Sequence, residues 1–208
     1  MGNISHLLVP TYPTIHLPNS MLRVYPERAD YTGDVINGLP LIVTSHRGSS
    51  AFNLSPFQGT PECISHIIQY AYDNEQLTPY SYKVELDEYG IIASYAVSHQ
   101  SAMYQIEFTE PECPNYLIFN SRNGAIKAEE NYVSGYQLLD NNTRVYLYLE
   151  TEQMPIQIGV WAQSNVIEGK KEAEGENACL ILGYGNGAQT INLRYGVSFI
   201  SEEQAKEN

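Results

Sequence analysis

Basic residues are scarce in this chain of 208 residues, which carries 11 Lys and Arg against 24 Asp and Glu. The formal charge of -13 at pH 7 repels phosphates and anionic lipid headgroups. The composition therefore argues against binding to nucleic acid or to an acidic membrane surface. Neutral ligands such as sugars meet no such penalty.

Cysteine is rare as well, and long apolar runs are missing. Cys63, Cys113 and Cys179 are far apart and form no CxxC motif, which allows at most one disulfide and gives no support for a thiolate metal site. The five histidines show no HExxH spacing, so a zinc site is equally unsupported.

No run reaches the roughly 18 apolar residues that a membrane-spanning helix needs, and no signal peptide opens the sequence.

Alternation of apolar and polar residues is abundant and predicts strands. The clearest case is 191–199, where Ile, Leu, Tyr, Val and Phe occupy every second position. Residues 80–86 alternate in the same way, and a turn at 87–90 leads into 91–97, which predicts a hairpin. Residues 145–149 are apolar on both faces, as expected of a strand in the middle of a sheet.

Further strands are predicted at 103–108, 116–120, 132–139, 156–162 and 179–184. Because strands recur about every 10–15 residues with turn residues between them, we predict an all-β domain over 1–200, built as an antiparallel sandwich. The glycines of 183–187 predict a hairpin turn rather than a phosphate loop, and the charged stretch 168–176 predicts a solvated loop.

The last eight residues have helix chemistry. Ser201 and Gln204 match a capping box, in which the serine caps the helix and the glutamine reaches back to the cap amide. We interpret 201–208 as the start of a linker helix, and the chain as part of a longer protein.

No catalytic constellation can be assembled from the residues alone. Six acids are candidates for a glycosidase pair, and they are equally well explained as turn and rim acids of an acidic sandwich (Asp30, Asp34, Asp73, Glu75, Asp87 and Glu88). Ser45 and His46 are neighbours, and adjacent strand residues point to opposite faces, so they cannot act together as nucleophile and base.

A cluster of small polar residues, one imidazole and one guanidinium at 44–50 follows the apolar run 39–43 directly. This cluster is a candidate binding loop. The 17 tyrosines are a second hint, since tyrosine either lines sheet faces or stacks on sugar rings.

Four stretches resemble the N-terminal β-sandwich domain of glycoside hydrolase family 92, the exo-acting α-mannosidases. TYPTIHLPNSMLRVYP (11–26) resembles the family's Tyr-Pro-x-x-x-x-Pro-Phe-Gly-Met segment, and GLPLIVTSHRGSSAF (38–52) its Gly-Phe-x-x-Thr-His loop. YDNEQLTPYSYKVELDEYGIIASYAV (72–97) is similar to a His-Glu-Asn-Glu-like start followed by a Leu-Asp-x-Tyr-Gly-Ile hairpin. LRYGVSFISEEQAKEN (193–208) is similar to the segment that leaves the sandwich for a helical linker.

The resemblance implies a large sandwich of the galactose mutarotase-like type that packs on a C-terminal (α/α)6 barrel. In the family that barrel carries the general acid, the general base and most of the calcium site, and hydrolysis of the mannoside proceeds with inversion. The sandwich lends loops to the sugar pocket, so the resemblance places six residues of this chain near the glycan substrate: Asn19, Ser20, Ser45, His46, Arg47 and Ser49. Asn19 and Ser20 replace the family's Phe-Gly, which indicates a divergent member.

These patterns predict the N-terminal domain of a bacterial glycosidase that is secreted, periplasmic or at the cell surface, and that is inactive when isolated from its barrel. The alternative is a free-standing carbohydrate-binding or mutarotase-like sandwich. A long continuation with alternating helical hairpins distinguishes the first from the second.

Overall fold

The computed structural model describes residues 14–26, 28, 35–44, 50–140 and 142–208, with Glu88 described by its backbone alone. Strands make up 61% of this part and helices 6%, well above the roughly 20–25% strand of average domains. The predicted all-β class is therefore confirmed. The strands and the helix are β1 Val35–Asn37, β2 Leu39–Val43, β3 Ser50–Gln58, β4 Gln69–Leu77, β5 Ser81–Leu86, β6 Ile91–Val97, β7 Ser101–Phe108, β8 Pro114–Ser121, β9 Gly124–Glu129, β10 Tyr132–Leu138, β11 Arg144–Thr151, β12 Gln157–Ala162, β13 Asn165–Glu168, β14 Glu172–Gly175, β15 Ala178–Asn186, β16 Gln189–Ser198 and α1 Glu202–Glu207.

The strands form two sheets in which the described pairs are antiparallel. The large sheet has ten strands in the order β1-β4-β5-β6-β7-β16-β11-β10-β9-β14, and the small sheet has six in the order β13-β12-β15-β8-β3-β2. Their apolar inner faces pack on each other, as the sandwich prediction requires.

Period-two alternation places the predicted side chains in the core. In β16, Ile191, Leu193, Tyr195 and Val197 are at most 2% exposed, while the residues between them face outward or lie under α1. Each such aliphatic side chain contributes about 1.5–3 kcal/mol when fully buried. Strand β11, apolar on both faces, lies between β16 and β10 in the middle of the large sheet, as predicted.

The chain crosses from the large sheet to the small one at Gly38, between β1 and β2. Gly38 has a φ of 70°, and a Cβ there would lie 2.3 Å from Oδ1 of Asn53. The Asn53 side chain donates from Nδ2 to the Asn37 carbonyl at 2.9 Å. Only glycine combines the left-handed backbone with this close approach.

The serine cap of helix α1 forms as predicted, whereas the glutamine side chain bonds elsewhere. The Ser201 hydroxyl accepts a hydrogen bond from the Gln204 amide at 3.1 Å. The Gln204 side chain donates instead to Oδ1 of Asn208 at 3.1 Å, because Asn208 caps the other end of this short helix. The helix lies on the outer face of the large sheet, with Ala205 buried against Gly196.

The stretch 168–176 corrects the prediction of a solvated loop. Residues Glu172–Gly175 form β14, which pairs with β9 at the edge of the large sheet. Its side chains are largely exposed, so the strand has no burial signal in the sequence, and backbone pairing alone defines it. The hairpin predicted at 183–187 is wrong: Gly183 and Gly185 lie within β15 of the small sheet, and the chain then crosses to β16 of the large sheet.

Within the described ranges, no helix is long and apolar enough to cross a membrane. The three cysteines are free thiols, with Cys63 exposed and Cys179 buried. Burial raises the pKa of the Cys179 thiol to about 12, so this thiol stays protonated and unreactive in the folded chain.

Candidate functional site

Four of the predicted sugar-binding residues lie outside the described residues (Ser45, His46, Arg47 and Ser49). Their roles stay predictions. The two ends of their loop are described: Thr44, which follows β2, and Ser50, which begins β3. These two residues form the stem of the loop, and the surroundings of the stem define the candidate site.

Asn19 and Ser20 lie in a tight turn before β1. Asn19 is exposed and has a left-handed φ of 57°. The Ser20 hydroxyl is within donating distance of three carbonyl oxygens, those of Leu22 at 2.8 Å, His99 at 3.0 Å and Ser98 at 3.1 Å. Ser20 thus fastens this turn to the β6–β7 turn, and its role toward a sugar stays a prediction.

Strand β2 and the N-terminal segment meet immediately before the loop stem. The Val43 amide donates to the Arg23 carbonyl at 2.9 Å, and Nε of Arg23 donates to the Val43 carbonyl at 3.3 Å. The turn at 17–22 and the stem of the loop are therefore brought to the same end of the sandwich. We call this the loop-bearing end.

Two further turns belong to the loop-bearing end. The Val97 amide donates to the carbonyl of Tyr80 at 3.3 Å, and the Val197 amide donates to the carbonyl of Gln100 at 2.9 Å. These bonds bring the β4–β5 turn, the β6–β7 turn and the end of β16 together. Three apolar side chains are exposed there: Tyr80 at 59%, Phe199 at 40% and Ile200 at 76%.

Gln137 ties the two sheets together at the loop stem. Its side-chain Oε1 accepts from the amide of Phe52 at 2.9 Å and from the amide of Arg122 at 3.0 Å, and its Nε2 donates to the Ser50 carbonyl at 3.4 Å. Phe52 has a φ of 54°, a conformation that costs energy in a residue with a large side chain. The Gln137 amide therefore supports a strained backbone two residues after the loop.

Four tyrosines form a row across the inner face of the large sheet. Their ring centroids are separated by 5.0 Å between Tyr82 and Tyr95, 4.8 Å between Tyr95 and Tyr104, and 5.9 Å between Tyr104 and Tyr195. All four are at most 3% exposed. We call these residues the tyrosine row.

Two hydroxyls of the tyrosine row reach across the core to β2. Tyr195 donates to the carbonyl of Leu41 at 2.7 Å, and Tyr104 donates to the carbonyl of Pro40 at 3.3 Å. Burial raises the pKa of both phenols well above the usual value, so they remain neutral donors. The hydroxyl of Tyr95 is buried and has no hydrogen-bond partner in the described part of the chain.

The far end of the tyrosine row meets a partly exposed ion pair. Tyr82 donates to Oε1 of Glu75 at 2.8 Å, and the same oxygen accepts from Nη2 of Arg28 at 2.7 Å. Burial, followed by the nearby Glu75 carboxylate, raises the pKa of Tyr82. The Arg28 guanidinium also lies 4.9 Å from the centre of the Tyr72 ring. Glu75, one of the six candidate acids, is thus engaged in a structural ion pair.

Two clefts border α1; both are lined by strands of the large sheet, and the second also by β12 and β15 of the small sheet. The first, of about 620 Å³, is lined by Met103, Tyr148 and Lys206 among others, and the second, of about 530 Å³, by Lys127 and Tyr136. No group of three or more His, Cys, Asp or Glu within the described residues could hold a metal ion. The clefts are open grooves beside a helix rather than a described catalytic centre.

Gln137, Tyr104 and Tyr195 were not predicted from the sequence as residues that support the site. The alternation in β10 could have indicated Gln137. Its side chain lies on the same inward-facing positions as Val133 and Gly135, and a polar side chain buried there needs hydrogen-bond partners. No local signal could show that Tyr104 and Tyr195 bond to β2, because their partners are 64 and 154 residues away.

Two antiparallel sheets packed face to face, with the connections of several strands gathered at one end, define a large β-sandwich domain. The chain belongs to the glycosyl hydrolase family 92 N-terminal domain family, whose model matches residues 1–198. The predicted resemblance is thereby confirmed. No curated protein matches the chain.

Solved structures agree on the fold. The chain is similar to the family GH92 inverting mannosidase BT2199 from Bacteroides thetaiotaomicron VPI-5482, with a TM-score of 0.81 and 22% identity, covering 95% of this chain and 30% of that one. It is also similar to the family GH92 alpha-mannosidase BT3965 from Bacteroides thetaiotaomicron, with a TM-score of 0.82 and 17% identity, covering 95% and 32%. For the gh92 family glycosyl hydrolase ccman5 the values are 0.72 and 17%, covering 95% and 31%. The chain therefore spans about a third of the length of these proteins.

Proposed function

We propose that this chain is the sandwich domain of a glycoside hydrolase that acts on α-mannosides or similar glycans. In this proposal the loop-bearing end lends residues 45–49 to the sugar pocket and packs on a catalytic (α/α)6 barrel of the same polypeptide. Membership of the family supports the proposal, and the observation that carries it is the exposed apolar group Tyr80, Phe199 and Ile200 beside the loop stem.

The exposed apolar group of Tyr80, Phe199 and Ile200 is typical of a surface that another domain covers. Single exposed apolar side chains are common, whereas several at one end of a domain mark a contact site. Phe199 and Ile200 directly follow β16 and precede α1, so the chain itself leads from this patch onto the outer face of the sheet. An adjoining domain that begins after α1 is in position to cover them.

Calcium and the acid and base carboxylates belong to the proposed barrel. A mechanism with inversion requires two carboxyl groups about 6.5–9.5 Å apart, with a water molecule between the base and the sugar. The family resemblance assigns both groups to the barrel and neither to a matched motif of this chain. A location outside the bacterial cytoplasm is part of the same proposal.

The isolated 208-residue chain is expected to have no glycosidase activity, because the required carboxylate pair lies in the proposed barrel. The measurement is incubation of the chain with aryl α-mannosides and calcium, with the full-length polypeptide as the positive control. Turnover by the isolated chain that survives repurification would place the chemistry in the sandwich. Sugar binding by a protein that ends near residue 208 in its natural form would favour the free-standing alternative.

The docking role predicts a sharp difference between two exposed isoleucines. In the full-length enzyme, Ile200→Asp is expected to lower kcat/KM about tenfold or more and to separate the thermal unfolding of the two domains, because it places a charge in an apolar contact. Ile156→Asp is the matched control, since Ile156 is 77% exposed but lies at the opposite end of the sandwich, where its amide donates to Gly183. Equal effects of the two changes would argue against docking at the loop-bearing end.

A further inference from the structure

The apolar pattern of strand β2 does not by itself fix how the strand is aligned with its neighbours. Among the described strands it is the edge strand of the small sheet and pairs with β3 alone. Its five residues, Leu39–Val43, are all buried. In most strands a slip of one residue is prevented because it moves apolar side chains into water. A strand that is apolar and buried on both faces lacks that penalty, so other contacts must set its register.

The tyrosine row supplies such contacts from the opposite sheet. Tyr104 and Tyr195 bond to the carbonyls of Pro40 and Leu41, which are consecutive residues. A slip of one residue in either direction removes at least one of these bonds and leaves a buried hydroxyl or carbonyl without its partner, at a cost larger than the net value of the bond itself.

The positions of the two hydroxyls are themselves fixed. Tyr104 lies in β7 and Tyr195 in β16, which are neighbours in the large sheet, and each ring is packed against the next in the tyrosine row. Tyr95 holds the other side of Tyr104 at 4.8 Å. Because burial keeps the phenols protonated, the two bonds persist across the pH range in which the chain is folded.

The constraint acts close to the loop. Leu41 is three residues before Thr44, the first residue of the stem, and Arg23 adds its own bond to Val43. A displacement of β2 is therefore passed directly to the stem.

We propose that Tyr104 and Tyr195 are positioning residues that fix the register of β2, and through it the placement of Thr44 and Ser50, the stem of the proposed sugar-binding loop. This inference rests on the proposed function for its second half. Its first half, that the two tyrosines fix the register of β2, concerns the 208-residue chain alone.

The test compares tyrosine-to-phenylalanine changes within the tyrosine row. Tyr195→Phe removes a hydroxyl bonded to β2, Tyr104→Phe removes the other, and Tyr95→Phe is the matched control because its hydroxyl has no partner in the described part of the chain. Hydrogen exchange of peptides covering 39–43 is expected to become about tenfold faster in Tyr195→Phe, the scale of losing a hydrogen bond to a buried group. Tyr95→Phe is expected to leave it unchanged.

The second readout is the kinetics of the full-length enzyme on an aryl α-mannoside. Tyr195→Phe is expected to raise KM about threefold to tenfold with kcat nearly unchanged, as for a loss of binding that is equal in the ground and transition states. Tyr95→Phe is expected to match the wild type. If Tyr195→Phe does not fold, the Tyr104→Phe chain, which loses the longer bond, provides both readouts.

The outcomes are distinguishable. Unchanged exchange at 39–43 in both Tyr195→Phe and Tyr104→Phe overturns the inference, and so does faster exchange with an unchanged KM. A full-length wild type that does not act on mannosides or related glycans overturns the proposed function and the second half of this inference with it, whereas the exchange measurement still decides the hold on β2.

Discussion

Gln137→Leu is expected to lower the free energy of unfolding by about 2–4 kcal/mol, since it leaves one buried and one partly buried backbone amide without an acceptor, and losing the partner of a buried group costs about 1–3 kcal/mol. The amides are those of Phe52 in β3 and Arg122 in the β8–β9 turn, and they meet at one side-chain oxygen. Leucine has a similar volume and cannot accept either bond. The strained backbone of Phe52 then loses its support.

Thermal and denaturant unfolding measure this effect. For a chain of this length, 1 kcal/mol corresponds to about 2–4 °C in Tm, so a fall of roughly 5–15 °C is expected. Gln105→Leu is the matched control: Gln105 is exposed on the outer face and bonds only to Asn192 in the described structure. Surface changes of that kind stay within about 0.5 kcal/mol. A Gln137→Leu variant as stable as the control would contradict the assigned role of the buried amide.

The Gln137 side chain also contacts the stem of the loop. Its Nε2 bonds to the carbonyl of Ser50, the C-terminal end of the loop stem, while the tyrosine row holds the strand on the other side of the loop. Two sets of buried polar contacts, one from β10 and one from β7 and β16, thus approach the stem from the large sheet. We infer that the large sheet thereby holds β2 and β3, the two strands that flank the loop.

Much of this fold was predictable because most strands have a buried face. The alternation in 80–86 and 191–199 predicted β5 and β16 within a few residues, since every second side chain enters the core. Strands β1, β3, β9 and β13 were not predicted, and neither were β4 and β14. Both lie near an edge of the large sheet with exposed side chains, so their strand structure depends on a partner that is distant in sequence.

The site was less predictable than the fold for a related reason. The polar cluster at 44–50 was predicted to be a binding loop from its composition and by resemblance, whereas the contacts around its stem come from single polar side chains within apolar strands. Tyrosine at a core position is ordinary by composition, and its hydroxyl acquires a role only when the second sheet is packed in place. Pairing across 154 residues, as between Tyr195 and Leu41, has no local pattern.

Gly196→Ala is expected to lower the free energy of unfolding by about 2–3 kcal/mol, within the range of overpacking substitutions. The added Cβ would lie 2.1 Å from the backbone oxygen of Ala205, a distance at which α1 or β16 must move. Lifting α1 exposes Ala205 and breaks the bond from Nδ2 of Asn208 to the Val197 carbonyl. It also separates the Lys206 ammonium from the Tyr148 ring, now 4.8 Å away.

A truncated chain isolates the cause. If the penalty comes from α1, Gly196→Ala in a chain ending at residue 200 is expected to be neutral or to stabilise by up to about 0.5–1 kcal/mol, because alanine is better than glycine within a strand. The difference between the two backgrounds is the coupling energy of residue 196 with the helix. Guanidinium unfolding of the four chains measures it, and an equal penalty in both backgrounds would show that the strain arises within the sheet. A truncated chain that does not fold would overturn the predicted domain boundary at residue 200, since the sandwich would then need its helix to be stable.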